Sequence, residues 1–257
     1  MNLKLKNKVV LVTGGSGDIG KEIVKTFKKL GSKVIIGDID LKSVEDMVDN
    51  SNIFAHKLDV TSSKSVQECI EYVIDKFGDI DVLVNVAGVL IRKSVFETTK
   101  EDFEKSLSVN VTGSFLTARE VAKYMKKQNG GKIINISSIN GKLAAENRAA
   151  YGSSKGAVNL LTQSLALEFA QYNINVNAIA PGIVDTKMAK VRLNTPELRK
   201  KFEDCIPTQE LIPTKAVAES VVFLSTPFAN HINGEIMLVD GGLTARQALP
   251  INEDFRK

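Results

Sequence analysis

The sequence predicts an α/β domain built on a doubly wound, parallel, seven-stranded sheet with helices on both faces. Short apolar β runs alternate with amphipathic helical patterns along almost the whole chain. The first β run, KVVLVT at 8–13, leads through a Gly-rich turn and an amphipathic helix into a second β run ending at Asp38. The chain is 257 residues long with 43% hydrophobic and 25% charged residues, which suits one folded core and implies no disorder. We therefore expect one domain over 1–257, with its core at about 5–245 and a lid at about 183–212.

The elements follow in order. After the opening β-helix-β unit come a β run at 52–58, a helix over 63–77 and a β run at 81–86. A long helical pattern over 100–127 places Phe103, Leu107, Val111, Ser114, Phe115 and Ala118 on helical spacings. A β run at 131–138 precedes a second long helix, which starts near Ala149 and carries Leu160, Leu161, Leu165, Leu167 and Phe169. Further β runs lie at 173–180 and 234–242. Parallel neighbours need right-handed helical crossovers, so helices fall on both faces and functional side chains gather at the carboxyl edge of the sheet.

The net charge of +4 is small and dispersed, which argues against nucleic acid as a partner. No apolar segment is long enough to span a bilayer, and the first residues run into a strand without a signal-like region, so a cytoplasmic protein is expected. Cys69 and Cys205 lack metal-ligand spacing and only two histidines are present, so we expect buried or inert thiols and no metal.

The opening unit has the chemistry of a dinucleotide site. Gly14 permits a tight turn at the strand end, and Gly20 lets the next helix pack closely. That helix presents free N–H groups and a positive dipole end to a pyrophosphate. Asp38, eighteen residues after Gly20, can accept from both ribose hydroxyls and would repel a 2′-phosphate, which favours NAD over NADP. A second constellation lies downstream. Tyr151 and Lys155 share one helix face, and Ser138 closes a strand. A free tyrosine titrates near pH ~10. A cation at about 4 Å, with an effective dielectric of about 20, offers up to roughly 4 kcal/mol, or about three pH units of depression. Ser138 is placed to hydrogen-bond a substrate oxygen.

These motifs together resemble those of the short-chain dehydrogenase/reductase family, across essentially the whole chain, and imply a Rossmann-like fold. The family's glycine turn corresponds to Thr13, Gly14, Gly15, Ser16, Gly17, Asp18, Ile19 and Gly20. Asp18 stands where the family usually has glycine, and we expect it to point away from the pyrophosphate and cap the helix. Asp59 and Val60 resemble the pair that brackets adenine, and Asn85, Val86, Ala87 and Gly88 resemble the turn after the fourth strand. Asn110 matches the helix asparagine thought to hold a water linking the lysine to solvent. Ser138, Tyr151 and Lys155 map onto the active site. Pro181 and Gly182 resemble the turn beneath the nicotinamide, where Ile183 would offer backbone and Thr186 its hydroxyl. PTQELIPTKAVAE departs from the pattern of many relatives. The resemblance also implies a homotetramer, or less often a homodimer, joined through the two long helices.

The implied reaction interconverts a secondary alcohol and a ketone. Tyr151 handles the proton, Ser138 polarises the oxygen, Lys155 lowers the phenol pKa and grips the ribose, and Asn110 supports a relay. The substrate loops at about 89–97, 139–148 and 183–212 say little about specificity. Lys187, Lys190, Arg192, Arg199, Lys200 and Lys201 read as solvated lid faces more readily than as an anion site, while Glu146, Asn147 and Arg148 suit a hydroxylated substrate. A sugar, polyol or small hydroxy compound is favoured over a 3-oxoacyl thioester. A non-catalytic dinucleotide sensor is the alternative of another class, disfavoured because all four active-site positions are intact.

Overall fold

The computed structural model describes residues 3–245. The ends of the expected 1–257 domain, at 1–2 and 246–257, lie outside them. The strands are β1 (Val9–Thr13), β2 (Lys33–Asp38), β3 (Ile53–Lys57), β4 (Val82–Asn85), β5 (Gly131–Ile136), β6 (Ile174–Pro181) and β7 (Ile236–Val239). They form one seven-stranded sheet in the order β3-β2-β1-β4-β5-β6-β7, and every pairing is parallel.

Strands covered on both faces read as continuous apolar runs, because successive side chains enter opposite layers. Val10 and Val12 point into one core with Ile23, Val24 and Phe27 of α1 (Asp18–Lys29) and Val217 and Val221 of α8 (Thr214–Leu224). Val9 and Leu11 point into the other, shared with α2 (Ser63–Phe77), α4 (Gly113–Lys127) and α5 (Ala149–Phe169). Helix α3 (Lys100–Leu107) begins with a capping box between Thr99 and Asp102.

The strand order reverses between β1 and β4, which opens a crevice at their carboxyl ends. The register levels those ends, with Thr13 paired to both Gly37 and Asn85, and Asn85 to Asn135. The turns after β1, β2, β4 and β5 therefore face one space.

One expected helix differs. The pattern over 100–127 is interrupted at Ser108–Thr112 by a π-helical turn holding Asn110. Ser114 Oγ donates to the Asn110 carbonyl at 2.9 Å. Such wide turns are frequent at functional sites. The lid contains α6 (Lys187–Arg192) and α7 (Pro196–Asp204). Its two ends are joined where Ile212 N donates to Ile183 O at 2.9 Å and Asp185 N to Ile212 O at 2.8 Å. Cys69 is buried, which pushes its thiol up to about 12. Cys205 is exposed rather than buried, and its thiol donates to Lys201 O.

Candidate active site

The dinucleotide side is assembled by the turn after β1. Gly14 has φ 64°, and a Cβ there would stand 2.5 Å from the Ala87 backbone, so only glycine lets the β1 and β4 turns touch. Gly20 packs on the Gly14 carbonyl, which seats α1 directly on the turn. Asp38 is buried at the β2 tip, accepting from Ser16 N at 2.9 Å through Oδ2 and from Asp40 N at 3.0 Å through Oδ1. Gly17 occupies the N-cap of α1 and no side chain caps it, so the first turn keeps N–H donors for an anion. A rigid carboxylate, an uncapped helix start and a glycine cradle fit a dinucleotide.

Asp18 corrects its expectation. It is the first helical residue rather than the cap, and its Oδ2 accepts the lid N–H of Lys187 at 2.6 Å. Ile19 follows it in the first turn. Asp59 is exposed and binds Thr61 through Oδ1, at 2.9 Å to N and 2.7 Å to Oγ1. Val60 is buried beside Gly113. Asn85 is also corrected as a side-chain contact, because its amide is turned into the core. It donates to Asn135 Oδ1 at 2.9 Å and accepts from Thr117 Oγ1 at 2.7 Å. Asn135 continues the chain to Thr162 at 2.9 Å. This network ties β4, β5, α4 and α5 together behind the site, leaving Ala87 and Gly88 as the near surface of the β4 turn.

Ser138, Tyr151 and Lys155 converge from the β5 end and α5. Ser138 caps the turn at Ile139–Gly141 through Asn140 N, and its hydroxyl acts on the Tyr151 phenol to hold the pKa down against burial. Lys155 is buried, with Nζ 5.8 Å from the Tyr151 ring centre and donating to Ile136 O at 2.8 Å. A Cβ on Gly88 would stand 3.6 Å from that Nζ and 3.1 Å from Asn110 Oδ1, so the β4 turn lies over both. Asn110 holds this turn by accepting from Val89 N at 2.8 Å and donating to Val89 O at 3.0 Å. Its amide also reaches Ser154 Oγ at 2.8 Å, which locks α5 beside Lys155.

Burial acts on both titrating groups. Burial raises the Tyr151 pKa, opposed by the Ser138 hydrogen bond and the charge of Arg148. Burial also lowers Lys155 to about 8, so it titrates in the working range and is a weaker source of charge than a solvated lysine. Arg148, immediately before α5, is the cation whose charge opposes the rise at Tyr151.

On the nicotinamide side, Pro181 ends β6 and Gly182 packs against Asp240. Ile183 and Thr186 begin the lid, where Thr186 Oγ1 caps α6 by accepting from Ala189 N at 3.2 Å. Arg192, at the end of α6, lies over the Phe202 ring with its guanidinium 4.6 Å from the ring centre, and burial, with the charges of Arg92 and Arg148, holds its pKa down. Nothing in local sequence distinguishes it from the solvated lid cations. Among the described residues no cluster suited to a metal ion occurs, and no helix is long and apolar enough to cross a membrane.

A parallel sheet with this order and crevice is the architecture in which dinucleotides bind at the carboxyl edge of the strands. Residues 15–244 match the family model described as Enoyl-(Acyl carrier protein) reductase, and the chain belongs to the short-chain dehydrogenase/reductase family. It is 37% identical to 2-(R)-hydroxypropyl-CoM dehydrogenase of Xanthobacter autotrophicus, covering 93% of this chain and 99% of that one. It is 32% identical to the NAD-dependent glycerol dehydrogenase of Listeria innocua, covering 95% and 97%. Among solved structures, a gluconate 5-dehydrogenase from Burkholderia cenocepacia in complex with NADP and tartrate matches with a TM-score of 0.90 and 27% identity, covering 96% of this chain and 98% of that one. Family members bind nicotinamide dinucleotides, and these relatives include users of both forms.

Proposed function

We propose that this protein interconverts a secondary alcohol and a ketone, using NAD(H) in preference to NADP(H), on a sugar, polyol or other small hydroxy compound. The observation that carries the reading is the convergence of Ser138, Tyr151 and Lys155 beside the crevice whose far end holds Asp38. Gly14, Ser16, Gly17, Ile19 and Gly20 would hold the pyrophosphate end, Asp38 the ribose and Asp59 and Val60 the adenine. Ala87, Gly88, Pro181, Gly182, Ile183 and Thr186 would hold the nicotinamide end. Bound there, the dinucleotide supplies or accepts hydride.

Tyr151 donates a proton to the carbonyl oxygen in reduction and takes it from the hydroxyl in oxidation. Ser138 donates to the same oxygen and fixes its position. Lys155 uses one N–H on Ile136 O, and its remaining donors would serve the ribose and the phenol. Asn110 positions the Gly88–Val89 backbone and α5. The 2′-hydroxyl preference rests on the fixed carboxylate of Asp38, which would lie against a 2′-phosphate. A screen of ketones with NADH at 340 nm tests the reading, and failure of sugar ketones, small ketones and thioesters alike would overturn it. Similarity at 34% identity to 3-oxoacyl-[acyl-carrier-protein] reductases of Thermotoga maritima and Aquifex aeolicus favours a second reading, reduction of a 3-oxoacyl thioester. Turnover of acetoacetyl thioesters well above that of free ketones would select it.

A second copy of the chain is the proposed partner, in a tetramer or a dimer. Leu160 and Leu167 of α5 are 66% and 81% exposed, an apolar outer face that supports this assembly. Light scattering that gave a monomer would remove it.

A further inference from the structure

Arg148 stands three residues before Tyr151 and is held by Asn140, whose backbone N–H donates to the Ser138 hydroxyl, so one guanidinium is fixed beside the reacting groups. Arg92 follows β4, Arg148 immediately precedes α5, and Arg192 ends α6. Arg148 is half-buried, with Nη1 donating to Asn140 Oδ1 and Nε buried without a hydrogen-bond partner among the described residues. Arg192 is half-buried, its guanidinium 4.6 Å from the Phe202 ring centre. Arg148 and Arg192 are both pushed down, first by burial and then by the charge of Arg92, and Arg192 also by that of Arg148.

Among the described residues, none of the three is paired with a carboxylate, whereas Arg199 in the same lid bridges both Asp185 and Glu203. Gathering cations with a buried unsatisfied donor and no counter-ion opposes folding stability. Such an arrangement belongs where a ligand supplies the missing charge. Arginine is also the side chain whose planar fork matches an oxyanion in two-point contact.

We infer that Arg148 and Arg192, with Arg92 at the mouth, form an anion subsite, so that the substrate is a secondary alcohol or ketone carrying a compact oxyanion such as a carboxylate, sulfonate or phosphate. This rests on the oxidoreductase reading and narrows its substrate class. The subsite lies one helical turn before Tyr151, so the anionic group sits a short distance from the reacting oxygen. The lid brings Arg192, which links closure to recognition of the charge.

The test compares matched ketones in NADH-dependent reduction at 340 nm: butanone against acetoacetate and 2-oxopropanesulfonate, and dihydroxyacetone against its phosphate. At least one anionic member exceeds its neutral counterpart in kcat/KM by about tenfold to hundredfold, the range for hydrogen bonds to a charged group. Arg192→Gln reduces that ratio by about tenfold or more, while NADH affinity, followed by fluorescence, stays within about twofold. Turnover of both members without preference overturns the subsite while leaving the oxidoreductase reading intact. Loss of NADH binding in the variant would assign the arginine to the cofactor and also overturn the proposal. Turnover of no member, with NADH bound, would overturn the underlying reading. The wild-type comparison stands independently should the variant fail to fold.

Discussion

Removing the Asp18 carboxylate should release the lid while leaving the sheet unchanged. The bond from Lys187 N to Asp18 Oδ2 measures 2.6 Å and joins the start of α1 to the start of α6 across the crevice. Hydrogen bonds to a charged acceptor contribute roughly 1.5–3 kcal/mol. Asp18 is partly exposed, so the lower end applies. About 1.4 kcal/mol is a tenfold change in an equilibrium constant. Asp18→Ala should therefore raise opening of the lid start about tenfold, read as roughly tenfold faster amide exchange of the peptide around Lys187. The lid base provides an internal control. Asp185 and Ile212 are held by their own backbone bonds and should exchange as before. Asp18→Asn keeps an acceptor without the charge and should fall between the two. Unchanged exchange around Lys187, or equal acceleration at Ile212, would refute the tether.

Asp38→Ala should lower kcat/KM with NADH about tenfold to hundredfold while that with NADPH rises, because the variant loses ribose acceptors and repulsion together. A parallel fall with both cofactors would show that Asp38 chiefly supports the Ser16 turn. For pH dependence, alcohol oxidation requires the phenolate, and burial holds the Tyr151 pKa up. Oxidation should rise with pH while ketone reduction, which needs the protonated phenol, falls. The charge of Arg148 opposes that elevation, so Arg148→Gln should move the rising limb of kcat/KM to higher pH. An unmoved limb would contradict the assignment. Thr117→Val strands the buried Asn85 Oδ1 and should cost about 1–3 kcal/mol in urea unfolding. A loss near zero would mean that the network relaxes around the change.

The architecture was legible because it rests on local pattern. Buried parallel strands leave uninterrupted runs such as Val9–Thr13, and the dinucleotide turn carries glycines whose spacing follows from backbone geometry. The Tyr151 and Lys155 pair was legible for the same reason, through helical spacing. What escaped depends on contacts between distant segments. Asp18 looked like a cap because aspartate does cap helices, but its partner lies in the lid, far away in sequence. The partners of the Asn85 amide, Thr117 and Asn135, are likewise distant in sequence. The π turn at Asn110 has no composition of its own and is marked only by the backbone bond from Gly113 N to Ser108 O, five residues back. Arg148 and Arg192 are unremarkable in their own segments, and the influence of one charge on the other is not visible from either. Spacing puts Lys155 close to Tyr151 but does not report their burial, which pushes the phenol up and the ammonium down.

The chemistry turns on one phenol, and a single variant tests it. With the best ketone from the 340 nm screen, Tyr151→Phe should lose turnover by about 10²–10⁴-fold, the usual contribution of a positioned acid or base. NADH affinity measured on the same preparation should change by no more than about twofold, because the hydroxyl serves proton transfer rather than binding. Turnover retained at the wild-type level would contradict the account.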